Sequence, residues 1–392
     1  MAVELRGVCD PRFERVREAF ARNFAEHNEV GAAVAVTVGG VPVVDLWAGW
    51  ADRARTREWT RDTIVPVWSV GKAISSLSVL RLVERGLVEL DAPVARYWPE
   101  FAQGGKANLP LRYLLTHQSG LPAIRKPLPP GTNVLSWHTM VEALAEQEPW
   151  WEPGTGFGYH VNTMGFLLGE VARRTDGRSV GTMIREDLRE ALSIDFLIGF
   201  GPEEDARVAE WIPYQAAAGE ESQRPWLEVD PAKVDGVQLA RLLAYRNPPG
   251  LPDGGPNSRV WRAAEFPSTN PHSNARAIAR VFGGLASGGR IDGSPLLDAK
   301  LIEQARTIES DGDDLVLGRP NRFGLGFQLT IPGVRPLGPG AHTFGHYGNG
   351  AILGFADPDA QVGFGYVCNR SGRSWRDPRN IALVDAVYAS LG

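Results

Sequence analysis

Residues 69–86 read SVGKAISSLSVLRLVERG, a segment in which apolar residues recur at helical spacing. Gly86 stands where a helix commonly stops, so we predict a helix from Ser69 to about residue 85. The hydroxyl of Ser69 and the amine of Lys72 would then lie one turn apart on the same face. A lysine amine can accept a serine proton when burial or nearby positive charge lowers its pKa. The segment therefore predicts a nucleophile beside its base.

The S-x-x-K motif is short enough to arise by chance about once in a chain of this size. Lysine usage strengthens the functional interpretation, because arginine supplies nearly all other basic positions. The lysines of the chain are Lys72, Lys106, Lys126, Lys233 and Lys300. Arginine cannot lose its proton under ordinary conditions, whereas lysine can. A lysine at position 72 therefore suits an amine that must exist in its neutral form.

A second candidate element is the segment GYHVN at residues 158–162, which leads into a predicted helix beginning near Met164. A tyrosine held near two cations can act as a base for a serine. The structural alternative is that Tyr159 is only an aromatic residue at a junction between loop and helix. Taken alone, the segment leaves both interpretations open.

The third candidate element is GHYGNG at residues 345–350, just before the apolar run Ala351–Phe355. This position predicts that the segment lies on or beside an edge strand. Glycines there would let the backbone approach a substrate closely. The structural alternative is a glycine-rich turn that carries a surface histidine.

Strands are expected at both ends of the chain, around a middle region with helical patterns. The β-rich runs are 32–38, 41–48, 351–356 and 362–368. The first two flank Gly39-Gly40, a hairpin signal, and the last two flank an Asp-Pro-Asp turn. Asp10-Pro11 and Asp377-Pro378 are typical helix starts.

We therefore predict an α+β fold, an α/β sandwich in which N- and C-terminal segments form one antiparallel sheet flanked by helices. A mainly helical subdomain would be inserted into it. The predicted sheet lobe comprises residues 1–66 and 270–392, and the predicted helical lobe comprises residues 67–269. The active site is expected between the two lobes.

The order of the three motifs resembles that of serine β-lactamases, penicillin-binding proteins and, above all, family VIII carboxylesterases. The three boxes of this superfamily are matched, in chain order, by Ser69-x-x-Lys72, Tyr159 and His346-Tyr347-Gly348. The segments YLLTHQSGLP at 113–122 and VCNR at 367–370 add to the likeness, which spans roughly residues 30–390. The resemblance implies a serine β-lactamase-like fold.

The same resemblance implies roles for individual residues. Ser69 would be the nucleophile, Lys72 and Tyr159 the acid/base pair, and the backbone N–H groups of Ser69 and Asn349 the oxyanion hole. The expected substrate-binding residues are Trp68, His117, Gln118, Trp151, Phe157, His160, Asn162, His346, Tyr347 and Gly348. The aromatic members would suit an apolar pocket for an acyl or alcohol group.

Two positions depart from the pattern of β-lactamases and transpeptidases. Val161 stands where those enzymes usually carry asparagine, and Asn162 comes one residue later. His346 replaces the lysine of their K-T-G box. Both departures resemble the esterase branch, and we do not expect efficient hydrolysis of β-lactams.

A competing motif lies at Gly177–Gly181, where GRSVG satisfies the G-x-S-x-G pattern of α/β-hydrolases. In those enzymes the serine sits between a strand and a helix. Here the preceding segment is helical in pattern and ends at Gly177, so Ser179 is expected to open another helix. The histidines form no zinc-binding motif, and no metal or other cofactor is expected.

The formal charge of −5, without a basic block, gives no electrostatic footprint for nucleic acid or anionic membranes. Only Cys9 and Cys368 occur, far apart in the chain, which favours a reducing compartment. No signal peptide or membrane span is evident, so we expect a cytoplasmic protein. The expected partner is a small-molecule ester or acyl substrate. The sequence does not specify the oligomeric state.

The leading hypothesis is a carboxylesterase-type serine hydrolase that forms an acyl-enzyme on Ser69. An acyltransferase, or a peptide thioesterase or cyclase, would use the same chemistry with another acyl acceptor. A β-lactamase or D-peptidase is less expected. A non-catalytic binding module is least expected, because serine, lysine and tyrosine are all present.

Overall fold

The computed structural model describes residues 3–129, 131–133, 135–216, 220, 225–246 and 251–392. The β-strands of these residues are, in chain order, β1 (Leu5–Cys9), β2 (Gly31–Val38), β3 (Val41–Gly49), β4 (Val65–Pro66), β5 (Phe196–Leu197), β6 (His272–Ser273), β7 (Arg290–Ile291), β8 (Ser294–Pro295), β9 (Ser310–Asp314), β10 (Arg319–Phe323), β11 (Gln328–Leu329), β12 (Phe344–Tyr347), β13 (Leu353–Asp357) and β14 (Val362–Cys368).

The α-helices of the same residues are α1 (Glu14–Glu26), α2 (Val70–Glu84), α3 (Arg112–Leu115), α4 (Trp137–Glu146), α5 (Thr163–Asp176), α6 (Val180–Met183), α7 (Gly236–Arg246), α8 (Arg259–Ala263), α9 (Ala275–Ala286), α10 (Ala299–Ala305) and α11 (Pro378–Leu391). The predicted start at Asp10-Pro11 is confirmed, since the Asp10 side chain accepts a hydrogen bond from the backbone N–H of Arg12. At α11, Asp377 and Asn380 form a capping box.

Strands from both ends of the chain build one antiparallel sheet in the order β1-β3-β2-β14-β13-β12-β11-β10-β9. The hairpin between β2 and β3 turns at Gly39 and Gly40, which both have positive φ. The N-terminal and C-terminal parts meet where β2 pairs with β14, with Val36 opposite Phe364. The predicted α+β class is thereby confirmed.

Glycines on β13 and β14 allow helix α9 to lie directly on the sheet. Gly354 and Gly365 are opposite one another, and a Cβ added to either would stand within 2.5 Å of an α9 atom. Because side chains alternate along a strand, Phe355 and Asp357 point to the other face, where the Asp357 carboxylate accepts a hydrogen bond from the Tyr388 hydroxyl of α11. Helices therefore cover both faces of the sheet, and α11 packs against α1.

Helix α2 is buried along almost its whole length and packs against α5 and β12. A Cβ added to Gly71, at its first turn, would stand 2.3 Å from the ring of Pro271, so the helix start lies directly against that loop. The small sheet β4-β6-β5 joins segments on both sides of the predicted lobe boundaries. The division into residues 1–66 with 270–392 and residues 67–269 stays a prediction.

The predicted edge position of the third motif is wrong, because β12 lies inside the sheet between β11 and β13. Strand β11 is short, however, and its pairing with β12 ends where Gln328 faces Gly345. On that side the side chain of Gln328 accepts a hydrogen bond from the backbone N–H of Tyr347. The end of β12 is therefore freed from pairing by the shortness of its neighbour.

Among the helices of the described ranges, none is long and apolar enough to cross a membrane.

Candidate active site

The predicted nucleophile and base lie together at the start of α2. Ser69 directly precedes the first helical residue, and Lys72 Nζ is 3.3 Å from Ser69 Oγ. The same amine donates a hydrogen bond of 2.9 Å to the backbone carbonyl of Ser268. Trp68 has a φ of 52°, in the left-handed region, and this bend leads from β4 into the helix. The serine is thus presented at a sharp turn on a rigid element.

Burial determines the state of Lys72, which is 1% exposed. Loss of hydration disfavours the ammonium form and places the pKa of Lys72 well below its usual range. A neutral amine retains a lone pair, which can accept the proton of the Ser69 hydroxyl. The site therefore has the electrostatics that a lysine base needs.

Tyr159 stands over the same amine, with 4.9 Å between Lys72 Nζ and the ring centroid. Its hydroxyl oxygen is 3.4 Å from His346 Nε2, and it also interacts with the hydroxyl of Ser69. Burial raises the pKa of Tyr159 above its usual value. Burial favours the neutral forms of both Lys72 and His346, so these groups favour a phenol that keeps its proton over one activated by two cations. The resting phenol is therefore protonated.

His346 holds the Tyr159 hydroxyl through a defined tautomer. The imidazole Nδ1 is 2.7 Å from the carbonyl oxygen of Tyr347, so Nδ1 carries the hydrogen in the tautomer that this carbonyl requires. Nε2 is then an acceptor for the Tyr159 hydroxyl. Burial, with a smaller contribution from Lys72, lowers the pKa of His346 well below its usual value.

Two residues that support the site were missed by the sequence analysis. The carboxylate of Asp314 accepts a hydrogen bond of 3.0 Å from the backbone N–H of Tyr159. The hydroxyl of Ser268 accepts a bond of 2.6 Å from the backbone N–H of Gly165, which fixes the carbonyl that Lys72 uses. Neither residue lies in a local motif, and Asp314 sits in the acidic run SDGDD that looks like an exposed turn.

The backbone around Asn349 is strained and clamped. Gly350 and Ala351 have φ values of 71° and 90°, and positive φ is costly for alanine. The Asn380 side chain donates a hydrogen bond of 2.8 Å to the carbonyl of Ala351. The backbone N–H of Gly372 donates one of 3.1 Å to the carbonyl of Gly350. These bonds fix the turn that carries the Asn349 N–H. In the part of the chain that the structure describes, neither this N–H nor that of Ser69 has a hydrogen-bond partner.

Gly348 brings this turn close to the serine. A Cβ at position 348 would stand 2.7 Å from the carbonyl oxygen of Val67 and 2.9 Å from Ile352 Cβ. We expect Gly348→Ala to push β12 away from Val67 and to lower kcat for a nitrophenyl ester about tenfold or more, since small displacements of reacting groups are costly. The melting temperature should also fall, because overpacking costs about 1–3 kcal/mol. Gly338→Ala, where the nearest contacts are side-chain atoms at 3.1 Å or more, is the matched control. Full activity in Gly348→Ala would contradict the close approach.

The structure places two predicted substrate-binding residues, His117 and His160, behind the site rather than in it. His160 is fully buried, and its ring nitrogens bond to Ser119 Oγ at 2.7 Å and to the Gly158 carbonyl at 2.6 Å. It therefore has no ring nitrogen left for a substrate, which corrects that prediction. His117 is 1% exposed, accepts a bond from the His160 N–H, and packs against Tyr159. Gln118 accepts a bond from a neighbouring threonine hydroxyl. The two histidines support the segment around Tyr159.

The aromatic candidates line two separate regions. Phe157 and Trp151 share an apolar cluster with Tyr159 and with Tyr245 of α7. Trp68 instead packs against two other tryptophans, with ring centroids 5.1 and 6.2 Å away. Asn162 sits below α7, whose Ala244 carbonyl accepts a hydrogen bond of 3.4 Å from the Asn162 amide. Phe157 and Trp151 therefore provide apolar surface beside Tyr159, whereas Trp68 belongs to a separate aromatic group.

Ser179 opens helix α6, as the sequence indicates. Its hydroxyl accepts a hydrogen bond from the backbone N–H of Thr182 and donates one to the carboxylate of Glu265.

No cluster of three or more possible metal ligands occurs within the described ranges. A cleft of about 720 Å³ between β1, α1 and the loop before Trp59 contains none of the candidate site residues.

Comparison with known proteins places this geometry in a family. The sequence profile of the Beta-lactamase family matches residues 16–389. The chain is 36% identical over 378 residues to Esterase/beta-lactamase LipL from Mycobacterium tuberculosis, in a match that covers 93% of this chain and 82% of that protein.

Two solved structures extend the likeness to the fold. A family VIII carboxylesterase matches with a TM-score of 0.88 and 37% identity, covering 99% of this chain and 100% of that chain. A penicillin-binding protein homologue from Caulobacter crescentus matches with a TM-score of 0.87 and 38% identity, over the same shares of the two chains. With the motif order, the sheet and the profile match in agreement, the chain belongs to the Beta-lactamase family.

Proposed function

We propose that this protein is a carboxylesterase-type serine hydrolase that acts on small-molecule esters through an acyl-enzyme on Ser69. The observation that carries the proposal is the 3.3 Å contact between Ser69 Oγ and the buried amine of Lys72, whose pKa is lowered by burial. The similarity to Esterase/beta-lactamase LipL and to a family VIII carboxylesterase supports it.

Acylation begins when Ser69 Oγ attacks the ester carbonyl carbon. Lys72 Nζ accepts the hydroxyl proton and becomes an ammonium. The carbonyl oxygen becomes an oxyanion, which the backbone N–H groups of Ser69 and Asn349 stabilise. One such donor commonly contributes about 3 kcal/mol to lowering the barrier.

The tetrahedral intermediate then collapses, and the bond between the carbonyl carbon and the alcohol oxygen breaks. The leaving alkoxide takes a proton from the Tyr159 hydroxyl, and Tyr159 recovers a proton from the Lys72 ammonium. His346, in contact with Tyr159 through Nε2, keeps the phenol oriented for this transfer. Tyr159 is thus a proton relay, which agrees with its raised pKa better than a resting phenolate would.

Deacylation repeats these steps with water. Tyr159 and Lys72 take a proton from the water molecule as its oxygen attacks the acyl carbonyl. The ester bond to Ser69 Oγ breaks, the serine regains a proton, and a carboxylic acid leaves. An alcohol, amine or thiol in place of water would give acyl transfer or cyclisation, so the same residues serve the alternative of an acyltransferase or a peptide thioesterase or cyclase.

The apolar cluster around Phe157, Trp151 and α7 favours an acyl or alcohol group of moderate size. His346 stands where β-lactamases usually carry a lysine, and we therefore do not expect efficient hydrolysis of β-lactams. A purely binding role is disfavoured, since it would not require a buried lysine in contact with a serine. Cys9 and Cys368 are both unpaired, which supports a cytoplasmic location.

A panel of p-nitrophenyl esters from acetate to octanoate, run beside nitrocefin, tests the proposal. We expect hydrolysis of the esters, with kcat/KM for nitrocefin about 100-fold or more below that of the best ester. A fluorophosphonate should add its mass to the peptide that contains Ser69. A protein that neither hydrolyses these esters nor reacts with the fluorophosphonate would overturn the proposal. Faster hydrolysis of nitrocefin than of any ester would replace it with a β-lactamase.

A further inference from the structure

Tyr159 rests on the hairpin of β9 and β10, which contacts both its backbone and its ring. Asp314, the last residue of β9, accepts a hydrogen bond of 3.0 Å from the backbone N–H of Tyr159. Phe323, the last residue of β10, stacks on the Tyr159 ring, with 9° between the ring planes and 6.0 Å between the centroids. The backbone N–H of Leu315 also donates a bond of 3.0 Å to the Phe157 carbonyl. One hairpin therefore supports the whole segment that carries the proton relay.

The carboxylate of Asp314 is the centre of this support. The residue is 1% exposed, and the Oδ1 atom that bonds to Tyr159 also accepts bonds of 2.9 Å from the backbone N–H groups of Val316 and Leu317. Its Oδ2 atom accepts a bond of 3.1 Å from the amide of Asn321. Burial raises the pKa of Asp314, and these hydrogen bonds act in the opposite direction. A side chain with four such donors is held in one place, and Tyr159 is held with it.

The other end of Tyr159 is held less firmly. Its hydroxyl oxygen is 3.4 Å from His346 Nε2, which is long for a hydrogen bond that involves a hydroxyl group. The hydroxyl also interacts with that of Ser69, the group that must be free to attack the substrate. The position of the phenol therefore depends on the support at its backbone and ring.

We propose that Asp314 is a positioning residue that places the Tyr159 hydroxyl for protonation of the leaving alcohol, so that esters of weakly acidic alcohols depend on it most. The inference rests on the proposed esterase function. When the bond between the carbonyl carbon and the alcohol oxygen breaks, a basic alkoxide needs the Tyr159 proton, which Tyr159 recovers from the Lys72 ammonium. A p-nitrophenolate is stable as an anion and leaves without that proton. A small displacement of Tyr159 therefore affects the two kinds of ester unequally.

A matched pair of substrates, p-nitrophenyl acetate and p-nitrobenzyl acetate, measures this dependence. The two esters share the acyl group and the nitro ring, and they differ by the methylene that makes the leaving group a basic alkoxide. The readout is kcat/KM for each ester, because it reports the steps up to acylation. The ratio of the p-nitrophenyl value to the p-nitrobenzyl value increases when protonation of the leaving group fails.

Asp314→Ser separates support of Tyr159 from support of the loop. A serine hydroxyl can still accept a bond from a backbone N–H two or three residues later, but it is one atom too short to reach Tyr159. We expect the ratio to rise about tenfold or more, mainly through loss of p-nitrobenzyl hydrolysis. Asp314→Thr has the same reach and suits the end of a strand, so it serves if the serine variant does not fold. Asp314→Asn keeps an oxygen for Tyr159 and should restore a ratio close to that of the wild type.

Asp357→Ser is the matched control, because Asp357 also ends a strand and is buried. Its Oδ1 atom accepts bonds of 3.0 and 3.2 Å from the backbone N–H groups of Asp359 and Ala360, the same spacing as in the loop after Asp314. This variant should lower the melting temperature and leave the ratio unchanged.

A double-mutant cycle with Tyr159→Phe shows whether Asp314 acts through the tyrosine. Tyr159→Phe alone should raise the ratio at least as much as Asp314→Ser does. In that background Asp314→Ser should raise it no further, because the hydroxyl that Asp314 positions is already absent.

The outcomes separate the two proposals. If wild-type protein hydrolyses neither ester and a fluorophosphonate does not label Ser69, the esterase function fails. If both esters are hydrolysed but folded Asp314 variants lose activity on them equally, the esterase function stands and the positioning role of Asp314 is refuted. An equal rise of the ratio in Asp357→Ser, or a further rise in the Tyr159→Phe background, would also refute that role.

Discussion

Ser69→Ala is expected to abolish acylation and to lower kcat/KM for a p-nitrophenyl ester by roughly 10⁴-fold or more, because no other group can form the covalent intermediate. The Lys72 amine, 3.3 Å from the lost hydroxyl, would have no nucleophile to deprotonate. The variant should remain folded, since Ser69 makes no side-chain cap to α2. Steady-state kinetics and mass spectrometry after incubation with a fluorophosphonate provide the measurement.

Ser179→Ala is the matched control, because Ser179 occupies the competing G-x-S-x-G motif. Its hydroxyl caps α6 and bonds to Glu265, so alanine should lower the stability by about 1 kcal/mol while turnover stays nearly unchanged. If Ser179→Ala lost activity and Ser69→Ala retained it, the assignment of the nucleophile would be reversed. Thermal melts of both variants would distinguish loss of chemistry from loss of fold.

Features encoded locally in the sequence could be predicted. The S-x-x-K segment lies at the start of a helix, and its four residues place the hydroxyl of Ser69 and the amine of Lys72 one turn apart. The contact between these two side chains follows from that geometry. The hairpin at Gly39-Gly40 is likewise a local matter of turn chemistry. The order of the motifs then indicates the family, because three short motifs in a fixed order along the chain occur by chance far less often than one short motif.

Features produced by contacts between distant segments of the chain could not be predicted from the sequence. The pKa of Tyr159 is raised because segments from several parts of the chain bury it, including the strand of Phe323. Asp314 reaches the Tyr159 backbone across 155 positions of sequence. The predicted contact of His160 with substrate failed for the same reason, since its partner Ser119 is 41 residues away.

The burial of the two basic groups at the site has a consequence for stability. Lys72 and His346 both have pKa values lowered by burial. Folding therefore disfavours the charged form of Lys72, and the loss of hydration of the amine is a cost of folding. Active sites commonly retain such costs because function requires them.

Lys72→Met is expected to lower kcat/KM about 10³-fold, within the range for loss of a general base, and at the same time to stabilise the protein. Methionine fills a similar volume in the buried position and carries no amine to desolvate. It loses the hydrogen bond to the Ser268 carbonyl, which offsets part of the gain. Lys72→Arg should be equally inactive but less stable, because its guanidinium cannot be neutralised on burial.

The stabilisation should depend on pH in a definite direction. In the unfolded chain Lys72 has its usual pKa of 10.5, whereas in the folded protein its pKa is well below that value. Between the two pKa values the unfolded state binds one more proton, so wild-type stability falls as the pH is lowered from 10.5. Lys72→Met lacks this titration, and its advantage should therefore be larger at pH 7 than at pH 9.5.

Urea unfolding of the wild type and Lys72→Met at both pH values measures this difference in the free energy of unfolding. The pH profile of wild-type activity measures the pKa of Lys72 in the folded state. kcat/KM should fall as the pH drops through the folded pKa of Lys72, because the ammonium form cannot accept the Ser69 proton. An advantage of methionine that is equal at pH 7 and pH 9.5 would show that Lys72 is charged in the folded protein. The serine would then need another base, and Tyr159 is the residue in contact with it.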